Sequence, residues 1–321
     1  MTVLLIGAHH DPHVLAVANR LKERGHRVVV MDSISKADFL TLDYSKNQTP
    51  EMILKTSAEE LVSSDEISGI WLRQKPIVQN PSWGPLQRAA AEFSQGEWRT
   101  VLHSLQICCP NAVWVNDPQK QVSINSKPRQ LAIASELGML TPRTIISNNP
   151  NDISAFIEEC GRVIYKSLNW YTFPDQTGIL TTELTADIVS QKSDAIKSAP
   201  GIYQQLIEKD YELRITVVGE KCFTALVRTP KSGDGAVDWR HAHFEDIFES
   251  FPEDLELNKS ILNFHNKTGL RYGTYDFIVD RFGDKHFLEC NPAGQYLWLE
   301  NSLRLQISDA IACELSGGSI A

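Results

Sequence analysis

The 321-residue sequence lacks the segments that would direct it to or through a membrane. It has no run of about 18 apolar residues, and its first residues do not show the basic-then-apolar pattern of a signal peptide. We therefore expect a cytoplasmic protein with no membrane partner. A net charge of −9 argues against nonspecific binding to nucleic acid, because the phosphate backbone is itself anionic.

Cysteine and glycine patterns that mark common sites are also missing. The six cysteines show no metal or redox spacing, and reduced thiols are expected. The glycine pattern of a dinucleotide fold is absent, so we assign no nucleotide to the N-terminal region. Hydrophobic and charged contents of 42% and 22% are ordinary for a globular enzyme, and the length allows two or three domains.

The N-terminal region alternates short apolar runs with amphipathic stretches, which is typical of a parallel sheet with crossover helices. We predict strands at 3–7, 28–31, 69–73 and 112–115, and helices at 12–25, 51–63 and 92–105.

The segment His9-His10-Asp11-Pro12-His13 could be taken for a metal site. We favour the interpretation that Asp11 caps the helix and Pro12 fills its first position.

A β-hairpin is predicted around the loop 281–284, which contains a glycine and separates two runs rich in aromatic and β-branched residues. If the loop is centred between its second and third residues, Asp280 faces Lys285 and Asp276 faces Glu289. A loop longer by one residue would break this register.

Asn291 falls on the same face as Glu289, because side chains alternate along a strand. Opposed carboxylates repel one another, and a cation between them would explain why both are present. Asp276, Glu289 and Asn291 offer only oxygen ligands, which suit Mg²⁺. A solvated hairpin with an acidic outer face is the alternative.

Two lysines stand at positions that favour an anionic partner. Lys127 opens a predicted helix that ends at Gly138, so the positive end of the helix dipole adds to its charge. Lys166 ends the apolar strand 163–166, where a cation is unlikely to lie unpaired.

The segment Glu289-Cys290-Asn291-Pro292-Ala293-Gly294, preceded by Asp276, resembles the metal-binding signature of the ATP-grasp ligases. The resemblance implies ATP and Mg²⁺ as cofactors, with three groups of site residues. Metal ligands would be Asp276, Glu289 and Asn291; nucleotide-binding residues Lys127, Lys166, Gln204, Gln205, Leu206, Ile207 and Glu212; and catalytic residues Arg214, Arg228 and Arg240.

Simple chemistry explains the roles of the adenine linker and of the arginines. An extended linker at 204–207 offers backbone groups to the adenine edge, and arginines hold a carboxylate or an acyl-phosphate by forked hydrogen bonds. Glu212 and Arg214 share a strand face, and an internal ion-pair network that includes them is the alternative. The stretch 167–182 is either a lid over the phosphates or a surface turn.

Within the superfamily the chain resembles the graspetide macrocyclases, which include the microviridin ligases. The resemblance rests on the segments 70–76 and 114–118 and on Asn291-Pro292-Ala293-Gly294-Gln295. Two departures are Gln74, where a second arginine is usual, and Ala293, where asparagine is usual.

The resemblance implies an α/β (α+β) ATP-grasp fold with an N-terminal parallel-sheet domain at 1–116, a central subdomain at 117–202 and a C-terminal subdomain at 203–321. The implied function is ATP-dependent macrocyclisation of a ribosomally made precursor peptide, joining Asp or Glu side chains to Ser, Thr or Lys. Ligation of a free amino acid or small acid, and a nucleotide-binding regulator without turnover, are the alternatives. Asp238 and His241 are candidate bases, and a homodimer is left open.

Overall fold

The structure is a computed structural model that describes residues 1–33, 37–45, 49–56, 59–73, 84–169, 181–228 and 247–318. Within these ranges the chain forms four sheets, of four, four, five and three strands, and the predicted mixed α/β class is confirmed.

The described strands and helices are named in chain order. The strands are β1 (Thr2–Ile6), β2 (Arg27–Met31), β3 (Ala37–Asp43), β4 (Glu51–Thr56), β5 (Leu61–Ser63), β6 (Ile67–Leu72), β7 (Val113–Val115), β8 (Thr144–Ser147), β9 (Val163–Lys166), β10 (Thr182–Leu184), β11 (Gly201–Gln205), β12 (Lys209–Val218), β13 (Lys221–Val227), β14 (Phe248–Ser250), β15 (Tyr272–Asp280) and β16 (Lys285–Asn291). The helices are α1 (Pro12–Glu23), α2 (Pro85–Cys108), α3 (Pro118–Ile124), α4 (Lys127–Glu136), α5 (Pro150–Cys160), α6 (Ala186–Gln191), α7 (Ser193–Ser198), α8 (Leu255–Thr268), α9 (Leu297–Leu303) and α10 (Ile307–Leu315).

The N-terminal sheet is parallel and has the order β2-β1-β6-β7. Both faces of β1 are buried: Val3 and Leu5 pack with α1 and α10, and Leu4 and Ile6 pack with α2 and β4. A strand covered on both faces reads as a continuous apolar run, which is why this sheet is visible in the sequence. Asp11 caps α1 by accepting a hydrogen bond from the His13 backbone, as we predicted.

The segment 51–63 is not a helix, and that prediction was wrong. It forms β4 and β5, which pair with β3 in a small antiparallel sheet. Met52 and Leu54 are fully buried while Ile53 between them is exposed. This two-residue alternation is the period of a strand, and the helical interpretation missed it.

The central sheet has the order β10-β9-β11-β8 and is antiparallel. Helices α5 and α6 pack on one face through Ile153, Phe156 and Val189. The sheet aligns the end of β9 with the start of β11, so Lys166 pairs with Ile202.

The C-terminal sheet has the order β14-β13-β12-β15-β16 and is also antiparallel. Helices α3, α4 and α8 bury its apolar face, which includes Tyr275, Phe277 and Phe287. The opposite face carries the polar residues of the predicted site.

The hairpin loop differs in detail from the prediction. The Asp280 carboxylate accepts hydrogen bonds from the backbone of Phe282 at 2.9 Å and of Asp284 at 3.0 Å. Next to the loop, Val279 pairs with Lys285. The predicted pairing of Asp280 with Lys285 was therefore wrong by one residue.

A β-bulge corrects this offset before the predicted site. Phe277 pairs with Phe287, but Asp276 pairs with Glu289, so Leu288 is the extra residue. The bulge lets Phe287 face the core and still brings Asp276 opposite Glu289, the pairing that the sequence predicted.

The C-terminal residues form two helices, α9 and α10, instead of one, because Arg304 adopts a left-handed conformation with φ of 54°. Helix α10 packs against the N-terminal sheet, with Ile311 and Leu315 in the same core as Val3. A Cβ at Gly69 would lie 2.3 Å from the Leu315 carbonyl oxygen. The first and last parts of the chain thus share one core, and the predicted domain boundaries stay a prediction.

None of the helices in the described residues is long and apolar enough to cross a membrane.

Buried His265 predicts how stability depends on pH. Burial lowers the pKa of His265 to about 4, against a smaller opposing effect from the Arg271 backbone. In the unfolded chain the pKa is about 6.5, so the unfolded state takes up the proton first as pH falls. We expect the free energy of unfolding to decrease between about pH 6.5 and pH 4, on the order of 3 kcal/mol from this group.

Urea unfolding of the parent and His265→Asn at pH 7.5, 6.0 and 4.5 measures the effect. Asparagine keeps a polar atom near the Tyr275 hydroxyl, which lies 2.8 Å from Nδ1 of His265, and it does not titrate. The variant should lose less stability on acidification than the parent; equal losses would contradict the assignment.

Candidate active site

Two carboxylates face each other across β15 and β16. Asp276 pairs directly with Glu289, and Thr274 pairs with Asn291 further along the same two strands. The Asp276 side chain is 15% exposed and that of Glu289 33% exposed. Like charges in this position destabilise a sheet unless cations neutralise them.

Arg214 supplies the first cation. It lies on β12 directly opposite Asp276, and its Nη1 donates to both carboxylate oxygens at 2.7 Å. Burial works to lower the pKa of Arg214, but the charge and hydrogen bonds of Asp276 outweigh it and raise the pKa above its ordinary value. The guanidinium therefore stays charged and holds Asp276 in place.

Lys127 supplies the second cation. As the first residue of α4, it places its Nζ 3.5 Å from Oε2 of Glu289 and 3.2 Å from the Ser167 carbonyl oxygen. Its side chain is 28% exposed. The ammonium is thus close to both the predicted metal site and the residue that follows Lys166.

Lys166 is tied to the predicted adenine linker. Its Nζ donates to Oε1 of Gln204 at 3.0 Å, and Nε2 of Gln204 donates to the Thr144 hydroxyl at 2.9 Å. Gln204 is only 3% exposed. Because the Gln204 amide is buried and accepts a hydrogen bond from Lys166, it fixes the position of the Lys166 ammonium.

The linker leaves the sheet after Gln205, where β11 ends. Leu206 and Ile207 follow as half-buried residues between β11 and β12. Glu212 lies on the same face of β12 as Arg214, but it pairs with Lys209, whose Nζ is 2.5 Å from Oε1. Arg214 pairs with Asp276, so each of the two residues has an internal ion-pair partner and the alternative of an ion-pair network stays open.

Arg228 lies at the exposed end of β13, with 59% of its side chain accessible. Its Nε and Nη2 form a fork on the Glu249 carboxylate, at 2.5 and 3.0 Å. The Glu249 hydrogen bond raises the pKa of Arg228. The same fork is what an external carboxylate would receive. Arg240, with the candidate bases Asp238 and His241, lies outside the described residues, as does most of the stretch 167–182.

Gln130 is a site residue that the sequence analysis missed. Its side chain is 3% exposed and bonds to both backbone groups of Cys290, donating to the oxygen and accepting from the nitrogen at 2.7 Å. Gln130 lies three residues after Lys127, on the same side of α4. The contact therefore seats α4 against β16 and brings Lys127 to Glu289. The three-residue spacing was the only signal available in the sequence.

The donor set fits Mg²⁺. The residues on this face are two carboxylates and an amide, and no cluster of three or more His, Cys, Asp or Glu able to hold a metal occurs in the described ranges. So few protein oxygens suit a small hard cation that keeps several waters and binds a substrate phosphate. Asn291 already accepts a hydrogen bond from the Ala293 nitrogen at 3.0 Å, which orients its amide oxygen and leaves a second lone pair.

Comparison with known families gives one match within the chain. Residues 130–286 match the ATP-grasp domain of prokaryotic glutathione synthetase. The matched segment includes Lys166, Arg214 and Asp276 but ends before Glu289. No curated protein matches the sequence.

Solved structures are similar over almost the whole chain. A Chryseobacterium gregarium RiPP-associated ATP-grasp ligase, in complex with ADP and a leader and core peptide, has a TM-score of 0.87 at 24% identity over 99% of this chain and 97% of its own. The Microcystis aeruginosa MRC macrocyclase MdnC, bound with precursor peptide MdnA, has a TM-score of 0.84 at 25% identity over 99% and 100%. Macrocyclase MdnB from the same organism has 0.80 at 23% identity over 99% of each chain.

Replacing Gln130 tests the contact that seats α4. In Gln130→Met the backbone N–H and C=O of Cys290 lose their partner, and we expect the free energy of unfolding to fall by about 1–3 kcal/mol. Urea denaturation measures it, with Gln119→Met, at an exposed position of α3, as the matched control. Equal stability of the two variants would show that the Cys290 contact contributes nothing.

Proposed function

We propose that this chain, which has the ATP-grasp fold, is an ATP-dependent ligase that macrocyclises a ribosomally made precursor peptide. It would join Asp or Glu side chains to Ser or Thr hydroxyls or to Lys amines. The observation that carries the proposal is the opposed pair Asp276 and Glu289, in register with Asn291 and each neutralised by one cation. Structural neighbours solved with leader, core or precursor peptides support a peptide substrate.

The nucleotide would lie between the central and C-terminal sheets. Lys127 and Lys166 bind the phosphates, the segment 204–207 binds adenine through its backbone, and Glu212 contributes a further nucleotide contact. Mg²⁺, held by Asp276, Glu289 and Asn291, would neutralise the charge of the transferred phosphoryl group.

Lys127 has two successive partners in this proposal. In the structure its ammonium lies against Glu289. Glu289 would hold the metal ion, which would supply positive charge beside that carboxylate, and Lys127 would then be available to the nucleotide phosphates. Arg214 is buried against Asp276 and keeps its partner throughout.

The reaction transfers the γ-phosphoryl group to a carboxylate oxygen of the substrate, and the chain's own part is to position and to neutralise charge. Arg228 and Arg240 hold the acceptor carboxylate, and then the acyl-phosphate, by forked hydrogen bonds. The hydroxyl or amine of the same peptide attacks the acyl carbon and phosphate leaves. Each ring closes with the overall loss of one water and the formation of ADP.

A second candidate is ligation of a free amino acid or small carboxylic acid. The observation that favours it is the match of residues 130–286 to the ATP-grasp domain of a glutathione synthetase. The site residues keep the same roles in this reading, and only the acceptor changes.

The proposal places the enzyme in the cytoplasm, where ATP and Mg²⁺ are abundant.

Sedimentation of the purified chain distinguishes a monomer from a homodimer.

Mass spectrometry of a candidate precursor peptide, incubated with the protein, ATP and Mg²⁺, tests the function. Each ring should remove about 18 Da, the mass of one water lost in condensation, with a matching amount of ADP. Mild base then separates esters from amides. ADP release with a free amino acid but with none of several acidic peptides would replace the first function by the second. Nucleotide binding without turnover of any carboxylate would instead indicate a regulator.

Glu289→Gln should fold normally and lose turnover, because the substitution keeps the volume but removes a metal-binding charge. Residues that only hydrogen-bond to a metal ligand contribute about tenfold to a hundredfold. We therefore expect the loss of a direct ligand to lower kcat by at least about a hundredfold. Glu253→Gln, at an exposed position, is the control. Turnover at the parent rate in Glu289→Gln would overturn the metal assignment.

Arg228→Gln should raise the KM for the carboxylate substrate about tenfold or more, because it removes a charged fork of hydrogen bonds to that carboxylate. The KM for ATP should change little. Arg143→Gln, which breaks another exposed Arg–Glu pair, with Glu159, is the matched control. An equal rise of both KM values would move Arg228 to the phosphate site.

A further inference from the structure

The turn that follows β16, the strand of Glu289 and Asn291, is held by buried side chains from the N-terminal part of the chain. This turn comprises residues 292–296 and links Asn291, the last residue of β16, to α9. Its hydrogen bonds from the N-terminal side go to backbone atoms and fix the path of the chain, and the His13 ring also contacts the Tyr296 ring, with centroids 4.9 Å apart.

Arg73, the residue after β6, makes the first of these contacts. Its Nη1 lies 3.3 Å from the Ala293 carbonyl oxygen and 3.4 Å from that of Gly294, and its Nε lies 3.1 Å from Oδ2 of Asp11. Arg73 is only 6% exposed. Burial raises the pKa of Asp11, but Arg73 and hydrogen bonds from His13 lower it below its ordinary value. The carboxylate is therefore ionised and holds the guanidinium toward the turn.

His13 makes the second contact. Its Nδ1 lies 2.8 Å from Oδ1 of Asp11, and its Nε2 lies 3.2 Å from the backbone nitrogens of both Tyr296 and Leu297. Because those two nitrogens are donors, Nε2 is the acceptor and the ring proton is on Nδ1, directed at Asp11. Asp11 thus orients both groups that hold the turn, in addition to capping α1.

Two further side chains complete the support. Nδ2 of Asn116, after β7, donates to the Pro292 carbonyl oxygen at 2.8 Å. The Tyr272 hydroxyl donates to the Gly294 carbonyl oxygen at 2.6 Å. A Cβ at Gly294 would lie 1.8 Å from the hydroxyl oxygen of Thr274, so the turn packs directly on the residue that pairs with Asn291. The turn is held along its length.

We propose that Arg73, His13 and Asp11 are positioning residues for the metal site: by fixing the turn at 292–296 they set the end of β16, and with it Glu289 and Asn291. The proposal rests on the metal role of those two residues in the proposed function. It gives the N-terminal sheet a task in catalysis without contact to nucleotide or substrate, in the way that outer partners of a metal site orient its ligands.

The test measures metal affinity directly. Mn²⁺ replaces Mg²⁺, and its dissociation constant in the presence of ADP is determined by electron paramagnetic resonance, without turnover. The variant Arg73→Met is combined with Asp11→Asn, because removing the arginine alone would leave a buried charge unpaired while asparagine still caps α1. Asp11→Asn alone is measured beside it.

We expect the double variant to bind Mn²⁺ about tenfold to a hundredfold more weakly, with a circular dichroism spectrum like that of the parent. His13→Leu should weaken binding too, while His13→Gln, whose side-chain oxygen can accept from the same nitrogens, should recover most of the affinity. Arg24→Met removes another arginine–aspartate contact to the C-terminal region, with Asp309 at 2.9 Å, away from the turn, and should bind Mn²⁺ as the parent does.

The outcomes separate this proposal from the one it rests on. If the parent binds Mn²⁺ with ADP and Glu289→Gln does not, but the double variant and His13→Leu bind like the parent, the positioning role is wrong and the metal site stands. If the parent itself shows no Mn²⁺-dependent binding, the metal assignment fails first. Should the double variant not fold, the pair His13→Leu and His13→Gln decides, because equal Mn²⁺ affinity in both would overturn the proposal.

Discussion

The site is built around one constraint, the repulsion between two carboxylates on neighbouring strands, and its other residues compensate for that repulsion. Asp276 and Glu289 face each other, and the two cations beside them differ in kind. Arg214 is buried in the sheet and its charge is held by its surroundings. Lys127 is partly exposed and stands at a helix end. The buried partner is suited to a permanent contact and the exposed one to exchange, as the proposed binding of a metal ion and phosphates requires.

Strand β16 carries this chemistry at the edge of its sheet. An edge strand has backbone groups with no neighbouring strand, and here other parts of the chain take that place. Gln130 bonds to both backbone groups of Cys290, and the Leu140 carbonyl oxygen accepts from the Phe287 nitrogen at 2.8 Å. Among the described residues none of these partners is a further strand, so β16 keeps its place at the edge of the sheet.

Much of the fold was readable because it follows local rules. Continuous apolar runs marked the parallel sheet, and an Asp-Pro pair marked the start of α1. The facing of Asp276 and Glu289 was predicted correctly although the loop was placed wrongly, because the bulge at Leu288 restored the register; no sequence rule announces such a bulge. The contacts of Gln130 and Arg73 could not be found, since each acts on backbone atoms more than 150 residues away, and a backbone partner leaves no trace in the residue type.

The packing of α10 against β1 has a consequence for how the chain folds during its synthesis on the ribosome. Val3 and Leu5 share their core with α1 and with Ile311 and Leu315 of α10, so β1 completes the burial of its apolar face only after α10 has been synthesised. Domains usually fold in the order of their synthesis; here the N-terminal sheet must wait with that face only partly covered. A chain that stops before α10 would leave part of this surface exposed, so residues 307–315 are needed to complete the N-terminal core.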